Sequence, residues 1–101
     1  MAQLGDIGDI VVVVTLAERA YVGRLVRRDV AETVLVDVVR MEHVRLWGRF
    51  LLGELEHTFA DGRTLSVLGQ AEPAGVEVSF PTLGVIGPRP WPGDLEALRA
   101  L

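Results

Sequence analysis

Short runs of β-branched residues, repeatedly interrupted by Gly, Asp and Pro, constrain this chain more than any other feature. Ile10 to Leu16 reads IVVVVTL, too short for a helix and dense in residues that fit a pleated surface, which predicts a buried strand. Ala17-Glu18-Arg19 makes a tight connection into a second strand, Tyr21 to Arg28. Period two puts Tyr21, Gly23 and Leu25 on one face of that strand and Val22, Arg24 and Val26 on the other. Gly23 inside the strand predicts a sharp bend or a close backbone approach. Asp29 to Glu32 turns the chain, and Thr33 to Met41 forms a third strand in which Leu35 joins Leu25 in the core.

A further hairpin is predicted within Gly53 to Leu68, and its pattern selects a register. A two-residue Asp61-Gly62 loop would mix apolar and polar residues on both faces. A three-residue loop Ala60-Asp61-Gly62 with Gly62 left-handed sorts Leu55, His57 and Phe59 with Leu65 and Val67. Glu54, Glu56, Thr58, Thr64 and Ser66 then share the opposite face, and a one-residue slip would drive the glutamates inward. Gln70 to Gly75 reads as a loop, Val76 to Phe80 as a short strand, Pro81 to Gly84 as a tight turn, and Val85 to Gly87 as the last strand. The prolines of GPRPWPG end the pairing. Asp94 caps a helix from Leu95 to Leu101, which presents Leu95 and Leu98 to the body and is too short to stand alone.

The 101 residues suffice for one domain with a modest core. With no cysteine, disulfides, thiolate metal sites and cysteine nucleophiles are excluded. With no lysine, so are a Schiff base and a phosphate-loop lysine. The apolar run Ile10 to Val14 is too short to cross a bilayer and no basic segment precedes it, so a soluble cytoplasmic protein without membrane contact is expected. A net charge of -4 disfavours a general nucleic-acid coat while permitting a local arginine patch.

Candidate chemistry is sparse. Glu42-His43 and Glu56-His57 each point to opposite faces of a strand, so neither pair chelates as a unit, and two histidines without thiols make a poor metal set. Ser66 and Ser79 lie in no strained elbow, and Gly5 and Gly8 precede a strand rather than a helix. No cofactor, metal or catalytic residue is expected, and the chain reads as a non-enzyme. Arg24, Arg27, Arg28 and Arg40, with Arg45 and Arg49, form the local basic excess, and Tyr21, Trp47 and Phe50 lie nearby in sequence. Basic groups beside aromatics can hold single-stranded nucleic acid by stacking. A solvated strand face beside core aromatics accounts for the same residues.

Val12, Val14, Leu16, Gly23, Leu25, Asp29, Leu35 and Asp37 together form V-x-V-x-L, a turn, Y-x-G-x-L-x-x-x-D, and then V-L-V-D. This resembles the first motif of Sm-like proteins, the family that includes bacterial Hfq. VSFPTLGVIGPRP (Val78 to Pro90) is similar in layout to the second motif: a strand, a tight turn and a last strand ending in prolines. The resemblance implies a mostly β fold, a five-stranded SH3-like barrel that spans residues 1–101 as one domain. It would carry an insertion at 42–75 and a proline-rich exit with a helix at 87–101. It also implies homo-oligomeric, ring-like association through open edges, and single-stranded RNA as the nucleic-acid ligand. The family's base-contacting asparagine is missing, with Glu32 and Thr33 in its region, and neither I-R-G nor Y-K-H stands in the second motif. Tyr21, Arg24, Arg27, Arg28 and Arg40, taken from the local basic excess and its neighbouring aromatics, are the candidate RNA contacts. A structural adaptor, using the insertion to hold a protein partner, is the alternative.

Overall fold

The computed structural model describes residues 6–17 and 19–101; Glu18 of the first connection and Gly5 lie outside them. Strands β1 (Ile10–Thr15), β2 (Ala20–Arg28), β3 (Glu32–Val44), β6 (Leu68–Pro81) and β7 (Val85–Pro90) form one antiparallel sheet in the order β6-β3-β2-β1-β7. Helix α1 (Trp47–Leu51) and a small hairpin, β4 (Glu56–Thr58) with β5 (Thr64–Ser66), lie between β3 and β6. A 3₁₀ turn at Thr82–Gly84 joins β6 to β7, and helix α2 (Leu95–Arg99) follows. No strand pairing joins β6 to β7, so the ladder is open. Among the described residues no helix is long and apolar enough to cross a membrane.

The predicted bend at Gly23 has a concrete cause. The β2–β3 register shifts between Val22 and Arg24, and Asp37 opposite that shift adopts a left-handed φ of 54°. A Cβ at position 23 would lie 2.8 Å from the Val36 carbonyl oxygen, so only glycine lets the two backbones meet there. Asp29 builds the next turn: its Oδ1 accepts from the backbone N–H groups of Ala31 (2.8 Å) and Glu32 (2.9 Å). Thr82 Oγ1 donates to the Asp29 carbonyl at 2.7 Å, tying this turn to the 3₁₀ turn.

Two apolar clusters occupy the two sides of the sheet, and β1 divides its valines between them. Val11 and Val13 join Leu25, Leu35, Val38 and Phe80 in one cluster, with Leu25 and Leu35 paired across the ladder and both fully buried. Val12 belongs to the other, with Val22, Val39, Met41, Phe50, Val67, Trp91, Leu95 and Leu98. Val22 was expected on a face with Arg24 and Val26. It is buried because α1, the hairpin base and α2 cover that side, a layer that strand periodicity does not reveal. Trp91 Nε1 donates to the Phe50 carbonyl at 2.7 Å, and Asp94 caps α2 by accepting from the Glu96 N–H at 2.9 Å.

The hairpin follows the sorted register. His57 pairs with Leu65 and Thr58 with Thr64, the Phe59 N–H reaches the Arg63 carbonyl, and Gly62 has φ +90°. Other expectations are corrected. Residues 70–75 are not a loop but part of β6, because a register shift opposite Val38/Val39 absorbs Pro73 and Gly75 within an edge strand. β7 likewise runs on through Pro88 and Pro90. The Trp91 N–H bonds inward to the Ile10 carbonyl and Val11 pairs with Pro90, so the Pro90 ring nitrogen turns to the free edge, while Pro88 lies in the register shift opposite Val12 and Val14. β3 extends to Val44, so only residues 45–67 leave the main sheet.

Candidate nucleic-acid interface

The long β2–β3 ladder separates the candidate arginines. Arg27 and Arg28 pair with Val34 and Thr33 near the Asp29 turn, whereas Arg40 pairs with Tyr21. Arg40 lies six positions beyond Val34 along β3, at most about 20 Å at 3.3 Å per residue. Arg27 and Arg28 therefore share the turn end of β2, Arg24 lies mid-strand opposite Val36, and Arg40 lies toward the far end.

Their partners decide what they can still bind. Arg27 forms ion pairs with Glu32 and, at 3.8 Å, with Asp29. Arg24 donates to the Gly8 carbonyl at 2.9 Å, and Arg28 stands at the exposed end of β2. Arg40 is half-buried between Glu72, 2.7 Å away and opposite it on the ladder, and Glu42 at 3.0 Å. The hydrogen bond to Glu72, aided by the charge of Glu42, raises the pKa of the Arg40 guanidinium. Tyr21 is half-buried, with its ring centroid 5.0 Å from that of Phe80, so it packs in the sheet cluster rather than standing open as a platform.

A different group of cationic and aromatic side chains meets where β3 leaves the sheet. Arg19, Glu42, His43 and Trp47 line a pocket of about 290 Å³. His43 takes a left-handed φ of 55°, and Gly69 across the ladder leaves room for it, since a Cβ there would lie 3.1 Å from His43 Cβ. Trp47 opens α1 with 37% of its surface exposed and its ring edge-on to Phe50 at 6.0 Å. Arg49 pairs with Glu54 at 3.5 Å, whereas among the described residues Arg19 and Arg45 form no ion pair. Sequence proximity had placed Trp47 among the aromatics near the arginines, but nothing local signalled that Arg19, 28 residues earlier, would share its pocket. A second, larger groove of about 670 Å³ runs between the hairpin and α2, floored by Leu55, Leu68 and Ala71.

Ser79 Oγ donates to Glu32 at 2.6 Å, Ser66 is exposed on the hairpin, and among the described residues no three His, Asp or Glu side chains converge as metal ligands. His57 lies on the hairpin with its ring 4.7 Å from Phe59. Compared with known proteins, the chain matches no family model, no curated protein and no solved structure.

Proposed function

We propose that this chain is a non-catalytic Sm-like small barrel that self-associates through its free sheet edges and serves as a binding module for single-stranded RNA. One observation carries the barrel reading. Pro81 pairs with Glu32 at the Asp29 end of the sheet, whereas Val85 pairs with Thr15 at the opposite end. Along β2 those ends lie eight residues apart, about 26 Å at 3.3 Å per residue. The link from Pro81 to Val85 spans at most about 14 Å fully extended. So short a link fits a sheet coiled until β6 and β7 approach, as in a barrel. The succession of β6, one 3₁₀ turn and a proline-ended β7 follows the layout of the second motif, and the Gly23 bend and Asp29 turn follow the first.

Two strands, β6 and β7, keep a free edge, and free edges invite pairing with another chain. Pro90 removes a donor from the free edge of β7, which directs pairing to Val85 and Ile86 there and to the long edge of β6. Ile86 is 65% exposed and Val76 of β6 81% exposed. Native mass spectrometry over a range of protein concentrations tests the assembly. We expect an oligomer that Ile86→Asp or Val76→Asp dissociates, and a strict monomer at every concentration would refute it. Titration with short RNAs at low and high salt tests the ligand, and binding should weaken as salt rises.

A specific observation favours the second reading, a protein adaptor without RNA. Arg27 and Arg40 are already neutralised by carboxylates, and the net charge is -4. An oligomer with no salt-sensitive RNA binding would select it.

A further inference from the structure

The candidate arginines of the local basic excess are largely engaged, and the polar pocket at the end of β3 is not. We propose that the Arg19–His43–Trp47 pocket holds one nucleotide of a single-stranded chain, its base stacked on the Trp47 indole and its phosphate met by Arg19 and His43. The inference rests on the RNA reading and gives it a site.

Several observations support it. The two tryptophans have opposite surroundings: Trp91 is 3% exposed with its Nε1–H bonded to Phe50, whereas Trp47 lies open at the pocket. An indole offers a π face to any base, which suits stacking without sequence preference. Arg19 has no carboxylate partner among the described residues, so its guanidinium remains available for a phosphate. Glu42, the acidic group lining the pocket, is held at 3.0 Å by Arg40 and so offers an incoming phosphate less repulsion than a bare carboxylate. Finally, His43 occupies a backbone conformation that β-strand residues avoid, and the glycine opposite accommodates it. The kink places His43 at the pocket wall beside Trp47. A pocket of about 290 Å³ matches a single nucleotide rather than an oligonucleotide, which would continue over the surface.

Uridine and adenosine hexanucleotides, titrated at low salt with tryptophan emission as the readout, provide the test. We expect saturable quenching by both, arising from Trp47 because Trp91 is shielded. Trp47→Ala should weaken binding, followed by anisotropy of a labelled hexanucleotide, at least fivefold, and Arg19→Ala about tenfold, while Trp47→Phe retains most of the affinity. If Trp47→Ala proves unstable, Arg19→Ala and the quenching decide. Hexanucleotide binding with no quenching, and with Arg19→Ala at native affinity, would overturn the site and leave the RNA reading standing. Failure of the native protein to bind either hexanucleotide would overturn both.

Discussion

The two apolar clusters on either side of the sheet are built by different means. The cluster around Leu25 and Leu35 draws on β1, β2, β3 and β6, with Val85 of β7 packed against it. The cluster around Phe50 gathers α1, the strand start at Leu68, Trp91 beyond β7, and both leucines of α2 onto Val12, Val22 and Val39. The first is a property of strands, whereas the second is a property of connections. It follows that the segment 45–67 and the C-terminal turn and helix are structural parts of one body, and that the pocket beside Trp47 inherits its shape from them.

Truncating each cluster at its centre should expose this difference. Phe50 is fully buried, stacks 5.7 Å from Trp91 and supplies the carbonyl that Trp91 binds. In a Trp47→Phe background, where Trp91 is the only indole, Phe50→Ala should cost about 3–5 kcal/mol in chemical denaturation and shift Trp91 emission to the red. Leu25→Ala should cost about 2–5 kcal/mol with Trp91 emission unchanged. A red shift of equal size in both variants would break the distinction and make the two clusters one core. A smaller effect sharpens it: Asp94→Ala removes the cap of α2 and should cost about 1 kcal/mol, again reported by Trp91, because Leu95 and Leu98 share its cluster.

Much of the strand cluster was legible in the residues. Gly23 opposite the Asp37 bulge, Asp29 bonding the turn N–H groups, and the three-residue hairpin loop all follow from local rules: steric room, side-chain hydrogen bonding and period two. What misled was equally local. Pro73, Gly75, Pro88 and Pro90 read as ends of strands, yet both strands lie at sheet edges, where a bulge or an outward ring nitrogen costs no ladder bond. Helix α1 escaped notice because five residues carry no helical period of their own, and Phe50 is held by Trp91 rather than by propensity. The candidate arginines form a group in sequence, but the ladder alone determines that Arg40 pairs with Tyr21, away from Arg27 and Arg28, and that Glu72 occupies it.

By itself, then, the amino-acid sequence determined a mostly β chain, its turns, its hairpin register and the inward pairing of Leu25 with Leu35. These depend on contacts a few residues apart or on strict alternation. Only the tertiary structure decided which side chains remain available for a ligand. Whether Arg27 or Arg40 is neutralised, and whether Arg19 meets Trp47, depends on how far the sheet coils and what packs behind it. That geometry is set by the balance of burial over the whole molecule, which no short stretch of residues encodes.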